Sequence, residues 1–168
     1  MFKRLAAFLV ASISLAYAQV APPPRYAPTH WPIHDRVYHI RNFRFTTGQT
    51  LADLRLHYLT LGKPRRDAAG HTVNAVLLLH GTGGDAHSLL NPVFSDVLFG
   101  PGQPLDINKY FIILPDEIGH GESSKPSDGL RMNFPRYTYD DMVRAQHEVL
   151  LHDLHVDHLR LVRSHPGG

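Results

Sequence analysis

The chain has 168 residues and a formal net charge of +2, with 43% hydrophobic and 19% charged residues. That is enough apolar material for one packed domain and speaks against a disordered chain. The basic residues are scattered, with no run along a helix face, which argues against nucleic acid as a partner. No cysteine is present, so a core without disulfide support must hold the fold.

In chain order, the first stretch, MFKRLAAFLVASISLAYAQ, has the layout of a secretory signal: Lys3 and Arg4, an apolar run over 5–15, then the small-x-small site Ala16-Tyr17-Ala18. Residues 1–18 are therefore expected to be a signal peptide cleaved after Ala18, which predicts a secreted or periplasmic protein. The apolar run is shorter than the ~20 residues a spanning helix needs, so no membrane span is expected after cleavage. Residues 19–36 read as a leader, because Pro22-Pro23-Pro24 disfavours helix and central strand alike.

Residues 37–45 and 54–61 alternate in part and are rich in β-formers. Thr46-Thr47-Gly48-Gln49 lies between them, the pattern of a hairpin. Ala75-Val76-Leu77-Leu78-Leu79 and Tyr110-Phe111-Ile112-Ile113-Leu114 are continuous apolar runs, as in strands buried on both faces. Leu159-Arg160-Leu161-Val162 is a third candidate strand. Before it, Thr138 can cap a helix with Asp140 and Asp141 in its first turn and Met142, Ala145, Val149 and Leu150 near helical spacing. Strand–helix–strand order predicts an α/β fold, a mostly parallel sheet with an antiparallel hairpin at one edge.

Two loops carry the chemistry. His80-Gly81-Thr82-Gly83-Gly84 follows the first buried strand, where glycines let backbone N–H groups turn into a cleft. Neither a phosphate-binding G-x-x-x-x-G-K-[ST] nor a G-x-G-x-x-G dinucleotide pattern occurs there. Asp116-Glu117-Ile118-Gly119-His120-Gly121-Glu122-Ser123 follows the second. With both motifs in place, the chain resembles the N-terminal part of the α/β-hydrolase superfamily from about Leu54 to Val162. It is most similar to the homoserine O-acetyltransferase-like branch, on Tyr58-Leu59-Thr60-Leu61-Gly62, Asn74-Ala75-Val76 and Tyr139-Asp140-Asp141-Met142-Val143-Arg144-Ala145-Gln146.

The resemblance implies acyl transfer by a serine–histidine–acid triad on a small-molecule ester or acyl substrate, with no cofactor. It implies that the backbone N–H of Thr82 is half of the oxyanion hole, and that residues 37–168 form an incomplete hydrolase domain ending at the nucleophile-elbow strand. His80 is expected to stabilise its loop, and His120 to sit in a turn.

The elbow itself departs from G-x-S-x-G. In Arg163-Ser164-His165-Pro166-Gly167-Gly168, anchored on the final glycines, His165 fills the serine position and Arg163 the first glycine; Ser164 is displaced by one. Pro166 lacks the N–H that would be the second oxyanion donor, typically worth about 2.7–4 kcal/mol. The chain is thus expected to be inactive alone, as a frame-shifted or truncated fragment of an exported esterase. The rival expectation is a natural non-catalytic binding module, which would leave the last strand's far edge uncovered. Export disfavours an acyltransferase that depends on acetyl-CoA, a cytoplasmic donor.

The thirteen histidines raise the question of a metal. His147-Glu148-Val149-Leu150-Leu151-His152 is one residue longer than H-E-x-x-H, and histidines five apart on a helix diverge by roughly 140°. His152, His155 and His158 straddle the expected helix end, so no metal site is predicted. His155 stands where the family usually ends this helix with glycine, which singles out the local cap geometry.

Overall fold

The computed structural model describes residues 29–164. Residues 1–28, read as signal peptide and leader, and residues 165–168 of the expected elbow lie outside the described residues.

Five strands form one sheet: β1 (His34–Arg44), β2 (Thr50–Leu61), β3 (Ala75–Leu79), β4 (Phe111–Pro115) and β5 (Leu161–Ser164). Their order is β1-β2-β4-β3-β5. The hairpin joins antiparallel at the β2–β4 pair, whereas β3 runs parallel to both β4 and β5. The α/β architecture with an antiparallel hairpin at one edge is therefore present.

Several strand ends differ from the sequence reading: β2 already begins at Thr50, and β4 is shifted by one residue to Phe111–Pro115. β1 begins at His34, inside the segment read as leader, and Trp31 and Ile33 before it pack against the core. β5 begins at Leu161 rather than Leu159, because Leu159 turns toward the core while the Arg160 N–H bonds the Ala75 carbonyl at 2.9 Å.

Alternation divides the strands between two packing layers, since successive side chains leave opposite faces of a sheet. Val76, Leu78, Ile112 and Leu114 face a layer with Ala86, Leu89, Leu90 and Phe99. Ala75, Leu77, Phe111 and Ile113 face the other, against Leu150 and Val156. The first layer contains a 3-10 turn, Ala86–Leu90, and the short α1 (Pro92–Ser95), neither legible as apolar periodicity. Local capping makes them: Asp85 accepts from the Ser88 N–H, and Asn91 accepts from the Val93 N–H beside Pro92.

The second layer is α2 (Tyr139–Glu148), which starts at Thr138 in a capping box with Asp141. The helix runs on into a wider π turn, Val149–Asp153. That widening lets the consecutive Val149 and Leu150 both reach the core, in adjoining clusters. His155 then adopts a left-handed φ of 52°, the conformation for which glycine is normally chosen.

Candidate active site

The carboxyl ends of β3 and β4 place their following loops side by side. After β3, Gly81 to Gly84 close a turn through Gly84 N–H to Gly81 C=O at 3.0 Å, with Gly83 at φ +77°. A left-handed third residue is what a type II turn requires. Thr82 therefore occupies the second, exposed position, and among the described residues its N–H has no hydrogen-bond partner.

His80 locks this loop to the next. Its Nδ1–H donates to the Gly81 carbonyl at 2.9 Å, which leaves Nε2 to accept from the Glu117 N–H at 3.2 Å. Only the neutral Nδ1–H tautomer satisfies both bonds. The buried ring is thus a clamp between the two loops, and His120 sits in the second of them, in a turn.

The loop after β4 is organised by Asp116. Its Oδ1 accepts from the Ala86 N–H at 2.7 Å, and its Oδ2 from the Glu122 N–H and the His57 ring, each at 2.7 Å. These bonds explain the motif's glycines. A side chain at Gly121 would meet the Asp116 carboxylate, and one at Gly119 would meet the Tyr137 hydroxyl. They also assign the serines. Ser123 Oγ donates to the Asp116 carbonyl and accepts from the His57 N–H, and Ser124 Oγ accepts from the Arg55 N–H. Both hydroxyls fasten the loop to β2 and are structural groups.

A cavity of about 530 Å³ opens between these loops and α2. Thr82 and Gly81 form part of its rim, Leu79, Met142 and Val143 give apolar wall, and Glu117 belongs to its lining. Glu117 is buried; Oε1 accepts from Gln146 Nε2 at 2.7 Å, while Oε2 has no partner among the described residues. Burial pushes its carboxyl above the ordinary glutamate range, more than the hydrogen bond from Gln146 pulls it back.

The homoserine O-acetyltransferase of Methanohalophilus mahii is 34% identical over 151 residues, which cover 81% of this chain and 30% of that protein. An acetylester hydrolase structure from Corynebacterium glutamicum superposes with a TM-score of 0.65 at 25% identity, over 78% of this chain and 36% of that one. The chain belongs to the α/β-hydrolase superfamily, in its homoserine O-acetyltransferase-like branch. The homoserine O-acetyltransferase structure from Bacillus anthracis shares the fold, with a TM-score of 0.62 over 79% of this chain and 39% of that one. No family model matches. The chain spans about a third of the length of these relatives.

This membership gives the cavity its context, an acyltransferase or hydrolase scaffold. Of the residues singled out from sequence, Thr82, His80 and His120 gather at the cavity. Sequence reasoning did not single out Glu117 or His57. Glu117 stood in plain sight inside the Asp116–Ser123 motif, but nothing in a single sequence marks a carboxylate as buried. Among the described residues, no helix is long and apolar enough to cross a membrane.

Proposed function

We propose that this chain forms the oxyanion-loop portion of a serine-dependent acyl-transfer site, and that the reaction of the intact enzyme is hydrolysis of small esters. The observation that carries the reading is the unpartnered Thr82 N–H on the rim of the cavity. A donor there is complementary to the negative oxygen that develops when a nucleophile adds to an ester carbonyl. Collapse of that adduct expels the alcohol and leaves an acyl-enzyme, which water then cleaves. Apolar wall from Leu79, Met142 and Val143 suits a small acyl or alkyl group.

The nucleophile is not supplied by this chain in our reading. Ser123 and Ser124 are committed to structure, and Pro166 cannot donate at the elbow. The signal-like residues 1–18 favour an exported esterase over an enzyme using cytoplasmic acetyl-CoA. The test is to sequence the coding DNA past the Val162 codon, translate the three forward frames, and express any frame that opens with G-x-S-x-G. The product is then assayed on p-nitrophenyl acetate and, separately, on homoserine with acetyl-CoA. Ester hydrolysis by that product, with none by the 168 residues, supports the proposal. Acetyl transfer to homoserine without ester hydrolysis replaces it with the acyltransferase reading, and no such frame points to a binding module.

A further inference from the structure

Three side chains with metal-ligating atoms converge at the opposite end of β3 from the Thr82 loop. His71 comes from the loop before β3, Asp157 and His158 from the segment before β5. His71 Nδ1 is hydrogen-bonded to Asp157 Oδ2, and His158 Nδ1 lies 3.2 Å from the same oxygen. One ligand atom from each residue falls within 4.8 Å of the others. The rings meet edge to face, centroids 4.9 Å apart at 69°, and the Nδ1 atoms of both lie beside Asp157 Oδ2.

The frame around them is fixed by backbone bonds. Asp157 Oδ1 accepts from the Thr72 N–H at 2.9 Å, and Asp67 Oδ1 accepts from the N–H groups of Ala69 and His71, both at 2.9 Å. Arg66 Nη2 reaches across to the His155 carbonyl at 2.8 Å. Ligands around tetrahedral zinc, bound at about 2.0–2.1 Å, stand roughly 3.3 Å apart, and the His158–Asp157 separation of 3.2 Å is such an edge.

We propose that His71, Asp157 and His158 bind one divalent transition-metal ion of the zinc type, which ties the loop before β3 to the segment before β5. Two imidazoles with one carboxylate favour zinc, cobalt, nickel or copper over magnesium and calcium. The ion takes the place of the hydrogen bond between His71 and Asp157. The site does not depend on the acyl-transfer reading, and its expected role is structural.

His152 supplies the control. It is exposed and pairs with Glu148 at 3.6 Å on the helix, away from the cluster. Zn²⁺ alone is titrated calorimetrically into the full 168-residue chain near neutral pH, and Co²⁺ binding is followed by visible absorption. The expected result is one ion per chain. His71→Ala and His158→Ala each weaken binding roughly 10–100-fold, while His152→Ala leaves it unchanged. His158→Gln gives the same test with less loss of surface if His71→Ala does not fold. Equal affinity in wild type and His158→Gln, several ions bound without preference, or no binding at millimolar Zn²⁺ would each overturn the proposal.

Discussion

His57 Nδ1 donates to Asp116 Oδ2 at 2.7 Å, and both side chains are fully buried. The other ring nitrogen, Nε2, reaches Asp35 Oδ1 at 2.9 Å, so both nitrogens donate and the ring is an imidazolium between two carboxylates. Burial pulls the His57 pKa down, but the hydrogen bond and charge of Asp116, with those of Asp35, outweigh it and leave it raised. Burial likewise works to raise Asp116, and the bonds from His57, Ala86 and Glu122 bring it below its ordinary value. With Asp35, the pair holds three separate segments together, at β1, β2 and the loop after β4.

The sign of the pH dependence follows. A raised His57 stabilises fully below its ordinary value of 6.5, and that contribution is lost as pH rises through its folded value. A lowered Asp116 stabilises above 3.8, and its contribution is lost as pH falls through its folded value. Denaturant midpoints measured against pH should therefore fall on both sides of a plateau. Asp116→Asn should cost about 3–5 kcal/mol, because it leaves a buried imidazolium short of a charge partner. Midpoints that stay level well above 6.5 would show that His57 is not held charged.

Glu117 adds its own slope. Its raised carboxyl favours the folded state while protonated, so stability is full below the ordinary value of 4.5 and is lost as pH rises through the folded value. Glu117→Gln removes the ionisation and keeps a hydrogen-bonding group against Gln146. The variant should lose less stability than the wild type between about pH 5 and 8. Identical profiles would mean that the carboxyl is hydrated and ionised in the fold.

Much of the scaffold is legible locally. The runs of β3 and β4 are apolar at every position because both faces are covered, and Gly48 between two alternating runs marks the hairpin. Thr138 with Asp141 three residues on states the start of α2 in the sequence itself. What is not legible depends on distant pairs. His57 and Asp116 are 59 residues apart, and His57 sits in a strand whose alternation would let it face water. His71 and Asp157, 86 residues apart, meet only because β3 and β5 are neighbours. The link after β3 was missed because its 3-10 turn and four-residue helix are too short to show a period.

Asp141 and Asp140 looked alike as first-turn acids but differ in environment. Asp141 is fully buried and accepts from the Thr46 N–H and Thr46 Oγ1, both at 2.8 Å, and from the Thr138 N–H at 3.0 Å. It thus joins the hairpin turn to the start of α2. Asp140 is exposed. Asp141→Ala should cost about 2–4 kcal/mol, from lost charge-assisted bonds and stranded donors, while Asp140→Ala should stay within about 0.5 kcal/mol. Equal effects in urea unfolding would reduce Asp141 to a helix-dipole charge.

His155 ends the helical segment at φ 52°, with its side chain exposed. Its carbonyl, which accepts from Arg66, belongs to the backbone and survives substitution. His155→Gly should therefore raise stability by about 0.5–1 kcal/mol, relief of left-handed strain exceeding the entropy glycine gains when unfolded. His155→Ala, which keeps the Cβ, should not. A lower midpoint for the glycine variant would show that the imidazole makes a contribution of its own.

Thr82→Pro separates the turn from its donor. Proline is favoured at the second position of a type II turn, the place Thr82 holds before Gly83 at φ +77°. The Thr82 N–H bonds to nothing among the described residues, so the fold should not lose by its removal. Transition-state stabilisation should lose instead. In the intact enzyme carrying this segment, kcat for ester hydrolysis should fall about 10²–10³-fold, while the melting temperature holds or rises. Thr82→Ala, which keeps the N–H, should remain close to wild type. If proline and alanine variants turn over alike, the oxyanion donor lies elsewhere in the loop.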